Sequence, residues 1–167
     1  MPLVSTRATI KTRPMQENLN LSNLSEIEVS YSTKVKFRDM QKITSSGDCE
    51  AMLRKIWSPQ LELREEFYML LLNRANRVIG WHCISQGGLS STVVDIRLIF
   101  SIALKCVASG IIVAHNHPSG NLKPSEIDIS LTKRIKDAGK LLEITLLDHL
   151  ILSSEGYYSM ADEGLLV

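Results

Sequence analysis

The apolar run Ser109-Gly110-Ile111-Ile112-Val113-Ala114 ends in His115-Asn116-His117, and Pro118 follows at once. Such a run reads as a short buried strand, stopped by a proline that cannot donate to a ladder. Residues i and i+2 of a strand project to the same face, so His115 and His117 can converge on one ion while Asn116 points away. Gly120 and Pro124 then shape a tight polar loop that leads to Ser125, a good N-cap for a helix running to about Ala138, with Gly139 as its C-terminal stop.

Asp128 lies eleven residues after His117 and three after Ser125. Ser125 and Asp128 therefore share a helical face that the loop can swing back over the histidines. Two histidines and one carboxylate are the ligand set of a catalytic zinc that keeps its fourth position open. Two competing readings attach to the same residues. Ser-x-x-Asp before an apolar periodic run is also a common capping box. Glu126 is a rival carboxylate, about 200° around the helix from Asp128, so only one of the two can face the histidines. The conjunction of strand, His-x-His, turn and Ser-x-x-Asp favours a metal site over coincidence.

His-x-His, seven residues, then Ser-x-x-Asp resembles the motif of the JAMM (MPN+/JAB) metalloproteases. The wider stretch His115-Asn116-His117-Pro118-Ser119-Gly120, with Pro124-Ser125 and Asp128, is similar to the RadC branch in particular. Further RadC-like stretches are Glu65 to Asn73, Gly87-Gly88, Arg97-Leu98-Ile99-Phe100 and Leu147-Asp148-His149, so the resemblance covers roughly residues 45 to 160. It implies an α/β (α+β) fold of the cytidine-deaminase-like kind, a mixed β-sheet flanked by helices, and a zinc-dependent hydrolase acting on peptide or isopeptide amides of an unknown protein substrate. The RadC branch also brings an association with DNA repair that is not tied to a settled activity.

A zinc hydrolase needs a group to take a proton from the attacking water, and glutamate is the usual choice. Glu65 and Glu66 both stand before an apolar strand, on opposite faces: Glu65 groups with Phe67, Met69 and Leu71, and Glu66 with Tyr68, Leu70 and Leu72. Alternation cannot choose between them. The RadC-like form, Glu-x-Phe, selects Glu65. The resemblance thus implies that zinc held by His115, His117 and Asp128 activates water, that Glu65 accepts the proton and returns it to the leaving amine, and that Ser125 stabilises the oxyanion. Asp128 cannot be a full capping acceptor and a strong zinc ligand through the same oxygen.

At 167 residues, 44% hydrophobic and 22% charged, the chain has the composition of one ordinary globular domain. No apolar stretch approaches the roughly 20 residues that span a bilayer, so no membrane partner is expected. The start Met1 to Arg7 lacks the apolar run of a signal peptide. Cys49, Cys83 and Cys106 are odd in number and scattered, which disfavours a disulfide framework and fits a reducing cytoplasm. A formal charge of +1 gives no strong field for a polyanion, so nucleic acid is a weakly supported partner.

Residues 1–24 are polar with little periodicity and are expected to form a loosely docked arm ahead of a domain at 25–167. Glu26 to Tyr31 alternates like a strand. Ser46 can cap a helix with Cys49, Met52, Leu53 and Ile56 on its apolar stripe, ended by Pro59. Glu65 to Leu72 and Arg77 to Gln86 read as a hairpin, Gly87-Gly88 as a bend, and Ser90 to Val94 as a third strand. Asp95 caps a helix whose buried face is Ile96, Ile99, Phe100, Ala103, Leu104 and Val107, ending near Gly110. Leu141 to Leu147 and Leu150 to Leu152 are the closing strands. His82 reads as structural. Asp148-His149 offers a carboxylate beside a histidine that could tune a ligand from behind, but without metal-ligand spacing it stays outside the catalytic set.

Two rivals come from other classes. One is a nucleic-acid-associated accessory domain in which zinc is mainly structural. The other is a nucleobase deaminase, disfavoured because its Pro-Cys-x-x-Cys ligands are missing.

Overall fold

The computed structural model describes residues 31–33, 35–87 and 94–166. The arm at 1–24 and nearly all of the expected strands at 26–31 and 90–94 lie outside them. Among the described residues, five strands form one mixed sheet: β1 Glu66–Leu72, β2 Val78–Gln86, β3 Gly110–Asn116, β4 Thr145–Ser153 and β5 Gly156–Ser159, in the order β2-β1-β3-β4-β5. β1 runs antiparallel to both β2 and β3, β3 is parallel to β4, and β4 is antiparallel to β5. Three helices flank the sheet: α1 Ser46–Ile56, α2 Ile96–Lys105 and α3 Glu126–Leu141.

β1 and β3 are buried along their whole length, as continuous apolar runs require when both faces of a sheet are covered. Alternation divides their side chains between two cores. Phe67, Met69, Leu71, Ile111 and Val113 pack with Ile99, Phe100 and Ala103 of α2 and Ile135 of α3. Tyr68, Leu70, Leu72, Ile112 and Ala114 pack on the other face with Cys49 and Leu53 of α1. Each fully buried Leu, Ile or Phe contributes roughly 1.5–3 kcal/mol relative to exposure, so the two faces together fix the sheet's register. His115 continues the α2/α3 face and Asn116 continues the α1 face.

Several boundaries differ from the sequence reading. The α1 cap is Ser45, not Ser46: its hydroxyl accepts from the Asp48 amide in a capping box. In α2 the buried stripe is Ile99, Phe100 and Ala103; Leu104 is exposed at the edge of that stripe, about 100° around the helix from Ala103, and Val107 is exposed because the helix stops at Lys105 and Val107 turns to φ 53°. Gly139 does not stop α3, which continues to Leu141. A Cβ at position 139 would press into the carbonyl oxygen of Ile144, so glycine there allows close approach. The segment expected as two strands is the single β4, with β5 following a turn.

Candidate metal centre

His115 is the penultimate residue of β3, and the register pairs it with Phe67 of β1 and Ile151 of β4. His117 lies one step past the strand, held because its backbone amide donates to Leu152 O at 2.9 Å. The turn then closes with Gly120 N–H donating to His117 O at 3.0 Å, at a φ of 81° that glycine adopts without strain. Asp128 is the third residue of α3. The atoms His115 Nε2, His117 Nε2 and Asp128 Oδ1/Oδ2 meet at one point: 2.9 Å between the two nitrogens, 3.2 Å from His115 to Oδ1 and 3.7 Å from His117 to Oδ2.

Asp128 divides its two functions between its two oxygens. Oδ2 accepts from Ser125 N at 2.7 Å and Ser125 Oγ at 2.6 Å, completing a capping box, while Oδ1 faces His115. The cap and the cluster are therefore compatible. Glu126 is exposed and is not part of the cavity wall.

The protons on the rings follow from their partners. His117 Nδ1 lies 2.5 Å from Asn121 O, a pure acceptor, so the proton is on Nδ1 and Nε2 is bare. Behind His115, the Thr132 hydroxyl donates to Asp128 O at 2.6 Å, the carbonyl one turn earlier in α3, in preference to the weaker Met160 Sδ at 3.3 Å. Its one proton spent, Thr132 Oγ1 must accept from His149 Nδ1 at 2.5 Å. Burial holds the His149 pKa well below its ordinary value, so that ring is neutral and its Nε2 accepts from His115 Nδ1 at 2.8 Å. His115 Nε2 is then bare as well. Phe67 holds both rings, stacked on His115 and edge-on to His149 with centroids at 6.2 and 5.5 Å.

By spacing alone His149 stays outside the ligand set. The structure puts it directly behind His115, with Thr132 and not Asp148 as its partner. Asp148 accepts from the His149 backbone amide, Ser159 and Ala161 on the far side of β4.

Two bare imidazole nitrogens 2.9 Å apart beside a carboxylate repel one another unless a cation lies among them. A proton can serve: the Asp128 carboxylate beside it raises the His117 pKa against the opposing effect of burial. For Asp128, burial works against ionisation, but the facing imidazoles of His115 and His117 and the hydrogen bonds from Ser125 outweigh it and hold the carboxyl below its usual range. A metal ion can serve better. Tetrahedral zinc with N and O ligands near 2.0–2.2 Å sets its ligand atoms roughly 3.3–3.6 Å apart, which the three observed separations bracket. Among the described residues this is the group of His, Cys, Asp and Glu side chains able to hold an ion.

The cluster forms one wall of a cavity of about 370 Å³, whose lining includes Glu65, Phe67, Val94, Ser125, Ile127 and Leu131. The antiparallel register Phe67↔His115, extended two residues, puts Glu65 opposite His117. Glu66 is fully buried on the other face, accepting from Ser58 at 2.6 Å and Gln86 at 3.0 Å and paired with Arg64 at 3.3 Å. Of the two glutamates that alternation left open, one reaches the cavity and the other is a structural ion-pair partner. His82 sits exposed on β2, away from this wall.

A mixed sheet carrying a His-His-Asp cluster at the carboxyl end of β3 and the first turn of α3 defines an α/β domain with a side-chain group able to hold one metal ion. The chain matches the family model of the RadC-like JAB domain over residues 43–165, and it belongs to that family. A UPF0758 protein of Flavobacterium johnsoniae is 40% identical over 164 residues, 97% of this chain and 70% of that protein. A UPF0758 protein of Porphyromonas gingivalis is 44% identical over 140 residues, 83% of this chain and 62% of that one. A third, of Staphylococcus haemolyticus, is 41% identical over 129 residues, and the match spans 55% of its length. Those names state no reaction. No helix of the described residues is long and apolar enough to cross a membrane.

Proposed function

We propose that this domain is a zinc-dependent hydrolase that cleaves peptide or isopeptide amides of a protein substrate in the cytoplasm. One observation carries the reading: two histidine nitrogens made bare by their hydrogen-bond partners converge with Asp128 in a cavity that Glu65 also lines. When bound there, zinc supplies a Lewis acid for water and for the amide carbonyl. Glu65 takes up the proton of the attacking water and delivers it to the leaving nitrogen. Its carboxylate sits just before the start of β1, and among the described residues the arginine and serine that bond Glu66 do not bond it. The Ser125 hydroxyl turns from Asp128 Oδ2 toward the developing oxyanion, which its exposed position at the cavity rim allows. Val94, Ile127 and Leu131 give the cavity an apolar side against which the substrate chain packs.

The test is a panel of peptide and isopeptide amides with the zinc-loaded protein, followed by Glu65→Gln. That change keeps size and hydrogen bonding but removes the base, so zinc stays bound while turnover falls by roughly 10² or more. Turnover unaffected by Glu65→Gln would remove the proposed base. A parent inert on the whole panel would favour a structural role for the ion.

A further inference from the structure

We propose that Asn116, the residue between the two histidines, is the positioning residue for Glu65; the inference rests on the reading of Glu65 as the base. Asn116 is completely buried and, by strand alternation, faces away from His115 and His117. Its carboxamide makes three hydrogen bonds. Oδ1 accepts from Glu66 N at 2.7 Å, and Nδ2 donates to Leu61 O at 2.6 Å and to Arg64 O at 2.8 Å. Arg64 O belongs to the peptide plane before Glu65 and Glu66 N to the plane after it. One side chain thus pins both planes that bound the Glu65 Cα, and Gly87 N–H adds a third hold on Glu65 O at 2.8 Å.

The consequence is geometric. His115 and His117 project from one face of β3 toward the cavity, while the residue between them reaches under the strand and fixes the backbone that carries Glu65. The separation between base and ligands is therefore set across a single three-residue segment, where a misplacement of about 1 Å would cost much of the rate. Asparagine suits this place because it offers one acceptor and two donors on a short, planar fork; aspartate lacks the donors and serine lacks the reach. The separate anchor of the same stretch by Glu66, through Ser58, Arg64 and Gln86, keeps the fold when the clamp is lost.

Asn116→Ser and Asn116→Asp test the clamp with two substrate-free readouts. Hydrogen exchange at the Glu66 amide should speed up by about tenfold or more in both variants while the β3 amides keep their protection. In Co²⁺-loaded protein, the pseudocontact shifts of the Glu65 side-chain carbons should move and those of β4 should not. With a substrate in hand, kcat should fall about 10- to 100-fold at near-constant KM, and adding the change to Glu65→Gln should cost nothing further. An unchanged Glu66 exchange rate, unmoved Glu65 shifts, or loss of metal in place of displacement of Glu65 would overturn the proposal. Failure of Glu65→Gln to slow turnover would sink the base assignment alone, since exchange and shifts report on the clamp independently.

Discussion

His149 decides which nitrogen of His115 is free. Were its proton on Nε2, His115 would have to accept on Nδ1 and carry its own proton on Nε2, pointing into the site. The chain from Asp128 O through Thr132 and His149 excludes that arrangement. Such partners behind a ligand typically contribute 10- to 100-fold in metal affinity. Accordingly Thr132→Val, which keeps the shape and removes the hydroxyl, should weaken zinc by about that factor, as should His149→Phe, both measured by competition with a chelating dye. Affinity that matches the parent in both variants would show that the chain is not needed. Acidity acts on the same atoms. Because the His117 pKa is raised in the metal-free protein, protons begin to compete with zinc above the ordinary histidine value, near 6.5, and affinity should already be falling as pH drops toward it. For the metal-free protein the same pair has a stability window. The raised His117 contributes below about 6.5 and loses its effect as pH climbs through its folded value, while the lowered Asp128 contributes above about 3.9 and loses its effect as pH falls through its own. The convergence of His115, His117 and Asp128 was legible in the sequence because strand and helix periodicities place i, i+2 and the N-terminal turn without further information. His149 was not, because 34 residues separate it from His115 and only the parallel β3–β4 pairing brings them together.

At the scale of elements, α3 carries the most. Its first turn bears Ser125 as cap and Asp128 as carboxylate, its second bears Thr132, and its last packs through Gly139 under the start of β4. Glycine in a helix interior normally costs about 1 kcal/mol against alanine, so Gly139→Ala would stabilise an isolated helix. Here the opposite is expected. The added Cβ meets backbone at Ile144 and also approaches Phe100 at 3.5 Å, and backbone cannot rotate aside. Overpacking of this kind costs roughly 1–3 kcal/mol, which a urea melt would read as a lower midpoint at unchanged slope. A Gly139→Ala protein as stable as the parent would mean that the α3–β4 junction yields. Gly139 marks a limit of sequence reading: glycine near a helix end fits a C-cap and a close approach equally well, and the choice depends on a neighbour five residues on. The exposed Val107 shows another limit, since helical periodicity continues on paper past the point where a turn ends α2.

For the whole molecule, the sequence supplied the strands and helices that flank the site but not the sheet order. That β1 lies between β2 and β3 follows from nonlocal pairing, and this pairing is what brings Glu65 and His117 to the same cavity. The cluster then joins the two layers: His115 belongs to the end of β3, His117 follows it directly, Asp128 belongs to α3, and the turn between them is closed by few hydrogen bonds of its own. A bound ion would cross-link sheet and helix across that loop, so it should appear in global stability. With free metal at 100 times its dissociation constant, linkage adds about 2.7 kcal/mol to the folded state. For a domain of 150–250 residues each kcal/mol moves Tm by about 2–4 °C, so adding zinc to chelated protein should raise Tm by roughly 5–11 °C. The rise should grow with the logarithm of zinc concentration. It should be nearly absent in His117→Ala, which leaves one histidine and the carboxylate, yet persist in Glu65→Gln, which removes no ligand. Equal shifts in the parent and His117→Ala would place the ion elsewhere. Loss of the shift in Glu65→Gln would make that glutamate a ligand and remove the proposed base.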